Sequence, residues 1–236
     1  MRFAIISDIH SNIHALCAVL ADIDKQDIER IYCLGDNVGY GAFPNEVVAE
    51  LRGREIIAIQ GNYDESVGEE LITCGCDFAD GESARLGEIS NNWSIDNTTD
   101  ENKEWLRNLP RDLRLQVENV NILVVHGSPR KNNEYLHRYL SEAELIEATS
   151  AVDFDVLLCG HTHQPYHRVA KGRHIINPGS VGKPKHGNDN AVYGIIEIKD
   201  DRITLTSVEV AYSYAEAAAA IIAAGLPEQF AEALKA

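Results

Sequence analysis

The sequence predicts an α/β fold with a parallel sheet, and two observations support this prediction. Over the first sixty residues, short apolar runs of strand length alternate with stretches in which apolar residues recur every three or four positions. Each apolar run ends in side chains with oxygen or nitrogen donors, and the second and third runs also end in glycine. Strands joined by helices make right-handed crossovers, so we expect these donors along one edge of a sheet.

Composition limits the class of protein. The 236 residues are 44% hydrophobic, which suffices for one substantial core, so we expect a single domain over residues 1–236. The net charge of −16 disfavours a broad nucleic-acid-binding face. The five cysteines are an odd number and no apolar span reaches membrane length, so we expect a reduced cytoplasmic protein with no membrane segment.

The first apolar run leads to two side chains that can bind a metal. It begins at Phe3 and is followed by Asp8 and His10. Residues two apart in extended backbone share a face, so we expect both side chains to point the same way. A carboxylate at the edge of a core needs a partner or a cation. Asn12 then follows as the expected N-cap of a helix that runs to about Ile23.

The next two runs end in similar motifs. Residues 30–34 form the second predicted strand, which a glycine connects to Asp36. A helix from about Pro44 to Leu51 begins with proline, whose missing N–H costs nothing in a first turn. Residues 56–60 form the third strand, and a glycine connects it to Asn62.

The alternation is lost in the middle of the chain, where we expect a mostly helical insertion at about residues 65–110 that flanks the site. This insertion contains Cys74-Gly75-Cys76. Two interpretations of that motif are open, a metal or redox pair and a loop with two thiols. The loop is favoured because no second cysteine pair accompanies it.

Two later strands lead to histidines. A predicted hairpin over residues 113–125 ends at His126, which precedes a glycine. A buried strand at 156–159 leads to Gly160 and then to His161 and His163. Two histidines at alternate positions are the strongest local metal signal in the chain, and a pair of surface histidines is the alternative interpretation.

The remaining segments predict structure and little chemistry. A capping box opens a helix at 141–149, and hairpins are expected at 166–176 and 191–210. The turn at 177–180 is expected to return to the site. An alanine-rich helical tail at about 213–235 is expected to pack on the core or to form a homo-oligomer contact.

The donors at these strand ends are all nitrogen or oxygen atoms: Asp8, His10, Asp36, Asn62, His126, His161 and His163. Such a set suits Mn, Fe, Zn or Ni. Seven donors exceed the needs of one catalytic ion with an open position, so the sequence predicts two divalent metal ions that share a carboxylate. A hydroxide between two such ions suits attack on a phosphodiester or phosphoanhydride bond.

These motifs, in this order, resemble the calcineurin-like metallophosphoesterases over roughly residues 1–182, and the short chain resembles their small prokaryotic phosphodiesterase branch. The resemblance implies a four-layer αββα sandwich of two mixed β-sheets. It implies one metal held by Asp8, His10, Asp36 and His163. It implies a second metal held by Asp36, Asn62, His126 and His161, with Asp36 as the bridge.

The resemblance also implies roles in the reaction. We expect catalytic roles for Asn62, Tyr63, Asp64 and His126. Many relatives carry histidine where Tyr63 stands, and that histidine is thought to protonate the leaving group. A phenol with an ordinary pKa of about 10 donates a hydrogen bond but is poorly matched as a general acid, so we expect a preference for good leaving groups.

The expected substrate is a small phosphorylated or nucleotide molecule. Asn12 and Arg130 are expected to contact it, and some of the basic loop residues Arg130, Lys131, Lys183 and Lys185 are expected to guide it. Ordinary solvated loop charge is the alternative for these basic residues. Three alternatives to a phosphodiesterase remain open: a dinucleoside polyphosphate hydrolase, a serine/threonine-type protein phosphatase and a metal-stabilised binding scaffold without turnover.

Overall fold

The structure is a computed structural model that describes residues 1–77, 80–200 and 202–235. The strands in these ranges are β1 (Arg2–Ile6), β2 (Ile31–Cys33), β3 (Ile57–Ala58), β4 (Asp112–Val117), β5 (Val120–Val125), β6 (Val156–Leu158), β7 (Tyr166–Ala170), β8 (Arg173–Asn177), β9 (Ala191–Lys199) and β10 (Arg202–Val210). The helices are α1 (Ile13–Ile23), α2 (Pro44–Gly53), α3 (Asn62–Gly68), α4 (Gly81–Asn97), α5 (Asp100–Arg107), α6 (Glu142–Thr149), α7 (Tyr214–Ala223) and α8 (Glu228–Glu232).

The strands form two mixed sheets of five strands each. In the first sheet the order is β10-β9-β1-β2-β3, and β1, β2 and β3 run parallel as the sequence predicts. In the second sheet the order is β4-β5-β6-β8-β7, with β5, β6 and β8 parallel. The antiparallel pairs are the hairpins β4–β5, β7–β8 and β9–β10 and the pairing of β1 with β9.

The two sheets pack face to face because β1 is apolar on both faces. Phe3 and Ile5 point into the core between the sheets and join Ile122 of β5 there. Ala4 and Ile6 point to the other face, where α1 and α2 cover the first sheet. Helix α6 covers the outer face of the second sheet. The predicted four-layer αββα sandwich is therefore confirmed.

Backbone hydrogen bonds continue beyond the strand ends and hold the loops together. The Asp8 N–H donates to the Gly35 carbonyl at 3.0 Å, which joins the loops after β1 and β2. In the second sheet, the Gly160 N–H donates to the His126 carbonyl at 2.7 Å. The loops after β1 and β2, and those after β5 and β6, are thus fixed in pairs at one edge of the sandwich.

The loops after the strands are not extended. β1 ends at Ile6, and Asp8 and His10 have φ angles of 53° and 48°. The two side chains do lie in one group, but the predicted cause, extended backbone, is wrong. Asp36, His161 and His163 also have φ between 55° and 65°. Left-handed backbone at residues other than glycine costs roughly 1–3 kcal/mol each and persists where the surrounding structure imposes it.

Helices α3 to α5 and the tail helices flank the same edge. Helix α3 begins at Asn62, so Asn62, Tyr63 and Asp64 form its first turn. The tail helices α7 and α8 pack on each other, and Phe230 meets the Tyr40 ring edge to face with centroids 5.3 Å apart. Among the described residues, no helix is long and apolar enough to cross a membrane.

We predict that the tail contributes to the stability of the fold through Phe230. This side chain is 5% exposed, so Phe230→Ala is expected to lower the free energy of unfolding by about 3 kcal/mol in chemical denaturation. Ile222→Ala is the matched control on the same tail, because Ile222 is 56% exposed and its loss is expected to cost less than about 1 kcal/mol. Equal losses for the two variants would contradict the prediction.

Candidate metal centre

Two groups of buried side chains lie at the carboxyl edge of the sheets. Asp8, His10 and His163 form the first group. Asp36, His126 and His161 form the second group. Within each group the potential ligand atoms lie within 4.8 Å of one another. Asn62 adjoins the second group, with its Oδ1 3.1 Å from His126 Nε2. The structure thus brings together all seven donors that the sequence singles out.

Asp36 lies between the two groups. Its Oδ2 is 3.4 Å from His126 Nε2 in the second group and 3.7 Å from His10 Nε2 in the first. Its other oxygen, Oδ1, accepts a hydrogen bond of 2.8 Å from the backbone N–H of Tyr63. The carboxylate is therefore held by α3 on one side and presents Oδ2 to both groups.

Three histidines have their tautomers fixed by the backbone. The Nδ1 atoms of His10, His126 and His163 lie 3.1, 2.8 and 2.7 Å from the carbonyl oxygens of Val38, Leu34 and Lys183, respectively. A carbonyl oxygen only accepts, so each Nδ1 carries a proton, and in the neutral ring Nε2 then presents a lone pair. This is how metal-binding histidines are oriented by their surroundings.

The lone pairs of the first group face each other. His10 Nε2 lies 3.1 Å from His163 Nε2, and with both protons on Nδ1 neither nitrogen can donate to the other. In the second group, His161 Nε2 is buried and has no hydrogen-bond partner among the described residues. Unpaired buried acceptors cost about 1–3 kcal/mol each, and a cation between them removes that cost.

The side-chain oxygen of Asn62 points into the second group. Its Nδ2 donates to the Cys74 carbonyl at 3.0 Å, and this contact turns Oδ1 toward His126 Nε2. Asn62 Oδ1 only accepts, so this contact needs a proton or a cation at His126 Nε2. The donor set therefore fits divalent metal ions, which accept lone pairs from imidazole, amide and carboxylate together.

Burial favours the neutral form of three of the histidines. It lowers the pKa of His10 and that of His161 to about 3, and the pKa of His163 well below its ordinary value. These rings are neutral at pH 7, which is the form that binds a metal. Their contacts with Asp8 and Asp36, between 3.3 and 4.0 Å, are therefore not ion pairs.

His126 differs from the other three. Burial lowers its pKa, but the neighbouring Asp36 and Asp8 carboxylates outweigh burial and raise the pKa to about 9. Positive charge is thus favoured beside Asp36, whether a proton or a metal ion supplies it.

Asp64 connects the loops that carry the donors. Its carboxylate accepts from the Gly61 N–H at 2.9 Å, the Asn37 N–H at 2.8 Å and the Asn37 side-chain amide at 2.9 Å. It is fully buried. These bonds tie the loop after β2 to the start of α3. Asp64 therefore holds in place the two segments that carry Asp36 and Asn62.

The Tyr63 side chain lies beneath the site. It is 1% exposed, and its ring meets the His10 ring edge to face with centroids 5.5 Å apart. Its hydroxyl oxygen is buried without a hydrogen-bond partner among the described residues, although Tyr63 borders the cavity described below. Burial raises the pKa of this phenol well above its usual value.

The two residues that were expected to contact the substrate make other interactions in the structure. The Asn12 side chain caps α1 by accepting from the Ala15 N–H, as predicted, and donates to the Gly182 carbonyl at 3.0 Å. Arg130 pairs with Glu134 at the surface. The described residues that line the cavity over the site include Lys183 and Lys185 but not Arg130.

A cavity of about 280 Å³ opens onto both groups. Lys183 lies at its wall, with Nζ 3.4 Å from the centroid of the Tyr40 ring. Sequence reasoning missed Tyr135, whose ring stacks on His161 with centroids 3.9 Å apart, and Phe230 of the tail, which also lines the cavity. Neither residue stands in a motif, so no signal in the sequence marked it.

An αββα sandwich with two histidine and carboxylate groups at its sheet edge defines a metallohydrolase. Residues 1–201 match the family model of the calcineurin-like phosphoesterase superfamily domain. The chain belongs to this superfamily, as the motifs predict.

Relatives cover the whole chain. An uncharacterized protein of Methanocaldococcus jannaschii is 33% identical over 98% of this chain and 96% of its own. The crystal structure of a metallophosphoesterase from Sphaerobacter thermophilus matches with a TM-score of 0.77 and 31% identity, over 99% of this chain and 98% of that one. Phosphodiesterase YfcE of Escherichia coli is 26% identical over 86% of this chain and 95% of its own.

We predict that removing the imidazole of His161 lowers the affinity for divalent metal. Loss of a residue that merely orients a ligand costs about 10–100-fold in affinity, and loss of a donor in contact with the metal should cost at least that much. Calorimetric titration of His161→Ala with Mn²⁺ measures the change. His167→Ala is the matched control, because His167 is an exposed histidine on β7. If His161→Ala binds Mn²⁺ as tightly as His167→Ala does, His161 is not a ligand.

Proposed function

We propose that this protein is a phosphodiesterase that uses two divalent metal ions to hydrolyse small phosphodiesters or phosphoanhydrides. One observation carries the proposal: buried imidazole, amide and carboxylate side chains that can ligate a metal converge in two groups at the floor of a cavity. Membership of the phosphoesterase superfamily supports the same chemistry. The name of the E. coli relative, a phosphodiesterase, supports the diester as substrate class.

The proposed metal sites share Asp36. Asp8, His10, Asp36 and His163 would hold one ion, and Asp36, Asn62, His126 and His161 would hold the other. Mn, Fe, Zn and Ni all suit such a donor set. When bound, the ions would supply Lewis-acid activation of water and neutralise charge on the phosphoryl oxygens.

The chain's own residues select and orient the substrate. Lys183 and Lys185 lie at the cavity wall of a protein whose net charge is −16. Burial lowers the pKa of both amines, that of Lys183 to about 7, so an anionic substrate beside them favours their charged form and is attracted locally. A cavity of about 280 Å³ suits a small molecule. Leu86 of α4 and Phe230 of α8 also line it, and we therefore propose that the helices at about 65–110 and 213–235 belong to one domain with the sandwich.

Tyr63 is proposed to donate a hydrogen bond to the leaving group. Tyr63 borders the cavity, and its phenol can donate one hydrogen bond. A phenol is a weak acid, so a leaving group that departs without full protonation is favoured. Aryl diesters and nucleotide anhydrides meet this condition better than alkyl phosphates do.

We predict metal-dependent hydrolysis of bis(p-nitrophenyl) phosphate. Chelation by EDTA is expected to abolish it, and His126→Ala is expected to lower kcat/KM at least about a hundredfold, because metal-ion catalysis is worth several kcal/mol. His167→Ala should keep wild-type activity. If Mn²⁺, Zn²⁺, Ni²⁺ and Fe²⁺ all fail to support hydrolysis of aryl diesters, dinucleoside polyphosphates, cyclic nucleotides and phosphopeptides, the protein is a scaffold and the proposal is wrong.

Tyr63→Phe tests the leaving-group role. The variant keeps the ring and removes only the hydroxyl, so metal binding is expected to stay within about twofold of wild type. Hydrolysis of alkyl diesters, which need the donated hydrogen bond most, is expected to fall about tenfold more than hydrolysis of aryl diesters. An unchanged ratio of aryl to alkyl kcat/KM would assign Tyr63 a packing role only.

A further inference from the structure

A pair of thiols lies beside the second metal group. Cys74 and Cys76 are separated by Gly75, whose φ of 71° bends the chain so that the two sulfur atoms lie 3.0 Å apart. Cys74 is buried, and Cys76 is partly exposed and lines the cavity over the site. Of the two interpretations that the sequence leaves open for this motif, this geometry favours the redox pair.

The thiol pair touches a proposed metal ligand. The Asn62 amide nitrogen donates to the Cys74 carbonyl at 3.0 Å and to Cys76 Sγ at 3.2 Å. The opposite end of the same amide presents Oδ1 to His126 Nε2. The orientation of Asn62 therefore depends on the positions of both cysteines.

The other three cysteines lie elsewhere in the fold. Cys33 and Cys159 are fully buried in the apolar cores, where an oxidant cannot reach them. Cys17 is exposed on α1 and supplies a matched control. Exposure and proximity are thus combined at the Cys74 and Cys76 pair.

We propose that Cys74 and Cys76 form a reversible intrachain disulfide when a peroxide enters the cavity, and that this modification weakens metal binding at the Asn62 side of the site. The first part stands on the geometry of the thiols alone. The second part rests on the proposed function, since it takes Asn62 as a metal ligand.

The chemistry needs only the peroxide as a reactant. The Cys76 sulfur attacks one peroxide oxygen and the O–O bond breaks. The thiol proton leaves with the departing oxygen as water, and Cys76 becomes a sulfenic acid. Cys74 sulfur then attacks the Cys76 sulfur, the S–O bond breaks and water leaves. In sum, two thiols and one hydrogen peroxide give one disulfide and two waters. The sulfur atoms lose the two electrons that the peroxide gains.

The disulfide changes what Asn62 contacts. The sulfur atoms must approach from 3.0 Å to about 2.05 Å, and we expect this approach to shift Cys76 Sγ and the Cys74 carbonyl from their contacts with the Asn62 amide. The amide then loses the contacts that aim Oδ1 at the metal group. Because the bridge closes over a single glycine, the ring is small and strained, and strained disulfides are the readily reduced ones.

Thiol counting and peptide mapping test the disulfide without reference to activity. Peroxide is expected to remove two of the five thiols from the wild-type protein and two of the four from Cys17→Ser, with a linked peptide that contains Cys74 and Cys76. Dithiothreitol should restore both thiols. Cys76→Ser should form no such link. Loss of thiols without the linked peptide, or an equal loss in Cys76→Ser, would overturn the proposal.

Metal binding tests the second part. Calorimetric titration with Mn²⁺ is expected to give about 10–100-fold weaker binding to the oxidised protein than to the reduced one, as for the loss of a group that orients a ligand. Cys76→Ser treated with peroxide should keep its affinity. A disulfide that leaves Mn²⁺ affinity unchanged would overturn the link to Asn62. Absence of phosphodiesterase activity would instead count against the proposed function, since neither measurement depends on turnover.

Discussion

The structure depends on a set of lone pairs that face each other at the edge of two sheets. Backbone carbonyls accept hydrogen bonds from the Nδ1 atoms of His10, His126 and His163, so the Nε2 atoms of these rings face inward toward the site. Without a proton or a metal ion between them these groups repel each other and destabilise the folded state. The packing of the sandwich holds the loops in place despite this repulsion. A bound cation converts the same geometry from a cost into a gain, which couples metal binding to folding stability.

Close approach of the loops explains two of the glycines in the motifs. A Cβ at Gly160 would lie 2.1 Å from Ser7 Oγ and 3.0 Å from Asp8 Oδ2, and a Cβ at Gly61 would lie 2.2 Å from Asp36 Oδ1. Any side chain at either position would push a carboxylate out of its group. Glycine at these two positions therefore allows the neighbouring loops to approach Asp8 and Asp36 closely.

Much of the fold and most of the proposed ligand set could be predicted from the sequence, because both follow from local patterns. Apolar runs predict the strands, and the side chains directly after them predict which groups meet at the edge. The reason given for Asp8 and His10 was wrong, since left-handed backbone and not an extended strand directs them. Periodicity predicts which residues share a face only within regular structure.

The rest of the site comes from contacts that are distant in the sequence. Phe230 reaches the cavity because α8 packs beside Tyr40, and Tyr135 reaches it by stacking on His161. Asn12 shows the reverse case: a polar residue beside a motif is used by a helix cap and a loop carbonyl. Motif spacing thus predicts donors that a metal requires, because their chemistry is fixed. It does not predict the cavity wall, where many side chains are acceptable and tertiary packing decides which one is present.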